Sequence, residues 1–168
     1  MSKYMNFTET SFKGLYEIKR KIIGDNRGQF TRLYCVKEYE KFIHSNIMQT
    51  NFSLTNKKGT IRGLHYQVST FKEDKIITCL EGKVFDVAVD LRKDSKTFLK
   101  WYSIILDNKL KNSLLIPKGF AHGFQSLTQK VCLLYFHTNF YNPNYEKGIN
   151  PLDKRIDIKW PLEIKIFL

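Results

Sequence analysis

Long apolar stretches are missing from this sequence: none of its 168 residues lies in a run approaching the about 20 consecutive apolar positions of a membrane span. The opening MSKYMNFTETSFKG has no apolar core of the kind a secretory signal needs. Cysteine is sparse. Cys35, Cys79 and Cys132 are odd in number, far apart and never in a Cys-x-x-Cys pair. That pattern excludes a disulfide framework and predicts buried, reduced thiols in a cytoplasmic protein. Acidic residues are few, 16 against 28 lysines and arginines, which leaves a net charge of +12. The lysines are nevertheless scattered, and no RNP, zinc-knuckle or helix-turn-helix pattern accompanies them, so no nucleic-acid partner is predicted. What remains is a preference for anions, which a sugar diphosphate meets as well as a polynucleotide.

Internal repeats and Pro/Gly/Ser linkers are absent too, and residues 1–168 are expected to form a single domain. What the sequence does contain is a series of short strand-like runs. They are Gly14 to Ile18, Gln29 to Cys35, Met48 to Leu54, Thr60 to Tyr66, Lys75 to Leu80, Val84 to Leu91, Lys100 to Leu106, Ser113 to Ile116 and Val131 to Asn139. In the stretch from Phe85 to Leu91, Phe, Val, Val and Leu alternate with Asp86, Ala88 and Asp90, which predicts two opposite faces. Glu81-Gly82-Lys83 reads as a hairpin turn. Only Val36 to Ile43 reads as a helix of any length. Many short strands and few helices predict an all-β antiparallel sandwich or barrel.

Three segments set titratable residues inside these apolar patterns. The first is Gly59 to Gln67, GTIRGLHYQ, where Arg62 and His65 fall on opposite strand faces unless Gly63 bends or bulges the chain. The second opens at Lys75. The third is Ile116 to Phe124, IPKGFAHGF, followed by Tyr135 at the inner end of an apolar strand. Together with GDNRG (Gly24 to Gly28), DKIITC (Asp74 to Cys79), GKVFDVAVDLRKDS (Gly82 to Ser95), LLYFHTNFYNP (Leu133 to Pro143) and Trp160-Pro161, they resemble the dTDP-4-dehydrorhamnose 3,5-epimerase family in order and spacing from about residue 15 onward.

The resemblance implies a cupin-like jelly-roll and inversion of the carbons flanking the ketone of a 4-keto sugar nucleotide, without a cofactor. It implies His65 as base, Lys75 as the cation beside the enolate oxygen and Tyr135 as the acid on the other face. Arg62 and His122 correspond to further polar residues of the family's pocket, Arg27 to a diphosphate-contacting arginine, and Gln49 and Asn51 to lining positions of the nucleotide-sugar cleft. A homodimer that exchanges N-terminal strands is implied, within cell-surface polysaccharide synthesis. His44 and His137 match no catalytic position and are assigned to the surface and the sheet. A metal site is not expected: the Pro117-x-Gly119-x-x-His122 pattern resembles a cupin motif, but His65-Tyr66-Gln67 stands where metal-binding cupins carry His-x-His.

The sequence also departs from the family. The family's tail, with an aspartate that bonds the base histidine, is not found before Leu168, and Asp86 and Asp90 become the candidate partners for His65. Gln29-Phe30-Thr31-Arg32 replaces a Phe-x-Glu context, and Thr78 stands where an arginine is usual. These changes leave a dTDP-linked deoxyhexose and a GDP-linked hexose or heptose both open as substrates. A 3,4-ketoisomerase of the same fold and a silent sugar-nucleotide-binding protein are the competing functions.

Overall fold

The computed structural model describes residues 4–167. The elements follow in chain order as β1 (Met5–Glu9), β2 (Tyr16–Arg20), β3 (Ile22–Asp25), β4 (Gly28–Thr31), α1 (Val36–Tyr39), β5 (Gln49–Thr55), β6 (Thr60–Gln67) and β7 (Lys75–Glu81). They continue with β8 (Lys83–Asp90), β9 (Trp101–Asp107), β10 (Asn112–Ile116), β11 (Phe120–Ser126), β12 (Val131–His137), β13 (Glu146–Gly148) and β14 (Ile166–Phe167). One sheet runs β1-β2-β10-β7-β12-β5 and the other β13-β6-β11-β8-β9, with β14 added parallel to β6. The remaining pairings are antiparallel, as the alternating patterns predicted. The β3–β4 ribbon joins neither sheet.

Period-two alternation sorts the side chains into three layers. Between the sheets pack Leu15, Ile77, Val84, Ala88, Leu114, Phe124 and Leu133. The outer face of the first sheet (Ile18, Ile76, Leu115) is covered by Tyr39 and Ile43. The outer face of the second (Leu64, Val87, Val89) is covered by Ile156, Ile158 and Trp160 from the C-terminal segment. The face assignment for Phe85 to Leu91 holds: Phe85, Val87, Val89 and Leu91 pack outward, and Ala88 packs between the sheets.

Two expectations differ from the structure. The helix expected over Val36 to Ile43 ends at Tyr39, and Phe42 and Ile43 both donate backbone hydrogen bonds to the Tyr39 carbonyl in a turn. Gly82 does not close a hairpin, because β7 and β8 belong to different sheets. It is instead a corner between the layers, at φ +79°, where a Cβ would stand 2.1 Å from the Lys130 carbonyl oxygen. A sheet-to-sheet corner and a hairpin both call for glycine at positive φ, so the local signal could not separate them. The expectation about the family's missing tail falls at Leu168, which lies outside the described residues.

Candidate active site

At one end the space between the sheets is unfilled, leaving a cavity of about 560 Å³ lined by polar side chains from both walls. Strand register explains which residues meet there. On the first sheet, His137 lies opposite both Lys75 and Gln49, and Tyr135 lies opposite Ile77 and Asn51. Residues two apart share a face, so Lys75, Tyr135, His137, Gln49 and Asn51 all border the cavity.

On the second sheet, β11 pairs His122 with His65 and then Phe124 with Arg62, so β6 carries one extra residue over that interval. This is the bulge that the sequence required for Arg62 and His65 to share a face, and both line the cavity. Gly63 makes it sterically possible. Its φ is +111°, and a Cβ there would sit 2.6 Å from both the Gly123 Cα and the His122 carbonyl oxygen. The pairing of glycines across β6 and β11 therefore belongs to the site's construction.

The two walls differ electrostatically. His122 and Asp86 are both buried, with His122 Nε2 2.9 Å from Asp86 Oδ2. The His122 ring meets the Tyr135 ring edge-on at 6.1 Å. Burial drives the Tyr135 phenol well above its ordinary range, against a weak hydrogen bond with Ser53 (3.4 Å), so it stays protonated at neutral pH. His65 is held below the usual 6.5 of imidazole, first by burial and then by Lys75, His122 and Arg62, while Glu146 opposes the shift. At neutral pH it is an unprotonated base. Lys75 Nζ is 3.3 Å from Glu73 Oε1, and His137 Nδ1 is 2.9 Å from Glu73 Oε2. Burial alone would raise Glu73, but His137 and Lys75 overcome it and hold the carboxyl below its ordinary value. The network continues through Asn51 Nδ2 to His137 Nε2 (3.4 Å) and from Gln49 Nε2 to Asn51 Oδ1 (3.1 Å).

Seven of the eight site residues expected from the sequence thus surround one cavity: His65, Lys75, Tyr135, Gln49, Asn51, Arg62 and His122. Arg27 does not join them. It sits on the β3–β4 ribbon with its side chain 86% exposed, paired with Asp25 at 2.7 Å. Neither proposed partner acid reaches His65. Asp86 is taken by His122, and Asp90 is buried under Arg92, Ser95 and Thr97 at 2.6–2.8 Å, bonds that outweigh burial and hold it well below the carboxylate range. Thr78, which stands where the family usually carries arginine, faces away from the cavity. It points to the outer face of β7, buried and bonded to Ser113 (2.6 Å), and does not border the cavity. Sequence reasoning missed His137, Glu73 and Glu146. His137 was legible, since it stands two residues beyond Tyr135 on the same strand. Glu146 had no local signal, because β13 places it beside β6 through a long-range pairing.

Comparison with known proteins adds to this geometry. The profile of the family described as dTDP-4-dehydrorhamnose 3,5-epimerase matches residues 9–167. The dTDP-4-dehydrorhamnose 3,5-epimerase of Shigella flexneri is 40% identical over 161 residues, covering 95% of this chain and 88% of that protein. The crystal structure of dTDP-6-deoxy-D-glucose-3,5-epimerase from Legionella pneumophila, in complex with dTDP-4-keto-L-rhamnose, superposes with a TM-score of 0.92 at 41% identity, covering 97% of this chain and 88% of that one. A 3'-monoepimerase from Streptomyces bikiniensis, in complex with dTDP-quinovose, is similar at a TM-score of 0.88 and 28% identity, over 95% of this chain and 81% of that one.

Proposed function

Because the chain belongs to the dTDP-4-dehydrorhamnose 3,5-epimerase family, we propose that it inverts C3 and C5 of a dTDP-linked 4-keto-6-deoxyhexose in the cavity between its sheets. The observation that carries this reading is the placement of His65 and Tyr135 on facing walls, with the Lys75 ammonium bordering the same space. A hydrogen on a carbon next to a ketone is too weakly acidic for water to remove quickly. Its removal needs a base near neutrality and a positive group where the enolate oxygen forms. His65 takes the proton from one face, the electron pair moves onto the carbonyl oxygen beside Lys75, and Tyr135 returns a proton to the opposite face. Glu73 keeps the ammonium in place, and Arg62, Gln49 and Asn51 bind the nucleotide end of the substrate. The chemistry is redox-neutral, so these residues suffice and no cofactor is drawn on.

The dTDP ligands of the similar structures favour thymidine over guanosine, and the outward-facing Thr78 removes one of the two departures that kept GDP open. Arg27 does not reach the cavity of its own chain, and an exchange of ribbons between two copies would bring it to the partner's. The ribbon that carries it exposes Ile22, Ile23 and Phe30, and the cavity lining exposes Phe52 and Tyr141, which supports a homodimer with exchanged ribbons. Three free cysteines and the absence, among the described residues, of a helix long and apolar enough to cross a membrane support placement in the cytoplasm. There a dehydratase would supply the substrate and a reductase would consume the product for cell-surface polysaccharide.

Incubation with the dTDP-4-keto sugar in deuterium oxide tests the reading. Label is expected at both C3 and C5 without added cofactor, and Tyr135→Phe is expected to keep exchange while losing inversion. Label at C3 alone would establish the narrower activity named for the Streptomyces relative, a carbonyl moved to C3 would establish a ketoisomerase, and binding without label would reject catalysis.

A further inference from the structure

The back of the same sheet carries a feature that epimerisation does not use. Arg20, on the outer face of β2, is only 4% exposed, and among the described residues it forms no ion pair. Its Nη1 donates to Thr78 Oγ1 at 3.1 Å and to Ser113 Oγ, two neutral hydroxyls, and its Nε has no partner. A guanidinium stays protonated in proteins, and a buried charge without a counter-charge is strongly disfavoured. Arg20 forms part of the wall of a concavity of about 910 Å³ between β1, β2 and the α1 segment. Lys19, Lys21, Arg32, Lys37 and Lys41 border the same space, and the one carboxylate among its lining residues, Glu38, is paired with Arg32 at 3.4 Å. That volume suits a small molecule.

We propose that this concavity binds a small phosphoryl anion, with Arg20 as the buried anchor and Lys37 and Lys41 as outer contacts. Guanidinium and phosphoryl oxygens form short, charge-assisted bonds, and a desolvated arginine without a counter-charge gains more from them than a hydrated one. The site is separate from the catalytic cavity. Lys75 points from β7 into that cavity, while Thr78 points from the other face of β7 toward Arg20. Thr78 and Ser113 bond to each other at 2.6 Å, so both hydroxyls keep a partner whether or not Arg20 is occupied.

Calorimetric titration with inorganic pyrophosphate tests the proposal on the full chain and on three variants. The catalytic cavity also attracts anions, so Arg62→Ala serves to weaken that event alone. Arg62→Ala is expected to retain a pyrophosphate event. Lys37→Ala/Lys41→Ala, which alters two exposed side chains, is expected to lose that event by at least tenfold in affinity while its solvent-deuterium exchange rate stays at the wild-type level. Arg20→Met is expected to lose the event as well. Should Arg20→Met not fold, the lysine pair carries the test. Absence of pyrophosphate binding in Arg62→Ala, or a loss of less than tenfold in the lysine pair, would overturn the proposal.

Discussion

His65 has burial, two cations and a second imidazole pressing its pKa below 6.5, with Glu146 pulling the other way. The catalytic form of a base is the unprotonated one, so kcat/KM should fall only as pH drops through this lowered value. The acid limb of the profile is therefore expected below pH 6.5. Glu146→Gln removes the opposing charge and should move that limb lower still, and a shift to higher pH would contradict the assignment. Replacement of His65 by Asn is expected to cost at least about 10³-fold in rate, the scale of a lost general base. A loss under tenfold, read as deuterium incorporation, would reject His65 as the base. Lys75 belongs to the same argument: with Glu73 and His137 beneath it, the ammonium stands in one place before substrate arrives.

Strand β6 shows how an element can set chemistry without supplying a reactive group at every position. Were it regular, Arg62 and His65 would face opposite layers, and one of them would be driven into the apolar packing around Leu64. The bulge at Gly63 turns both toward the cavity. Gly63→Ala must therefore either straighten β6 or push β11 away, and it is expected to lower unfolding free energy by about 3 kcal/mol, through overpacking plus backbone strain. Denaturant midpoints would measure it, and a change below about 1 kcal/mol would show that the strand has more freedom than the Gly63–Gly123 contact allows. The β3–β4 ribbon is the contrasting element. Its sequence carries a recognisable Arg27, but its geometry within one chain keeps that arginine in solvent.

For the whole molecule, the proposed exchange of ribbons would make assembly part of the site, since Arg27 stands outside the cavity of its own chain. When the ribbon of one copy completes the cavity of another, an Arg27→Ala chain and a His65→Asn chain complement each other, since a mixed dimer has both defects in one cavity and none in the other. Random re-pairing is expected to restore about a quarter of wild-type turnover at sub-saturating substrate, half the dimers being mixed with one intact site each. Mixing that restores nothing, while sedimentation confirms mixed dimers, would show that Arg27 does not serve the partner's cavity. The same scale separates the two faces of the first sheet, one serving the catalytic cavity and the other the basic concavity around Arg20.

The strand alternation, the glycine that bulges β6 and the titratable residues of GTIRGLHYQ, IPKGFAHGF and Tyr135 were legible in the chain because each depends on local geometry: period-two faces, allowed φ and the side chains at fixed spacing. The helix after Val36 was overread, since a short amphipathic pattern does not state its length until Tyr39 and Ile43 find the sheet they cover. Which sheet each strand joins, and so whether Gly82 makes a hairpin or a corner, was decided by pairings between residues far apart in sequence. Only those pairings brought Glu146 beside β6, gave Asp86 to His122 in place of His65, turned Thr78 toward Arg20 and left Arg27 outside the cavity of its own chain. The physical reason is that a residue's type and face are local properties, whereas its partner is set by the register of strands that meet only when the chain closes on itself.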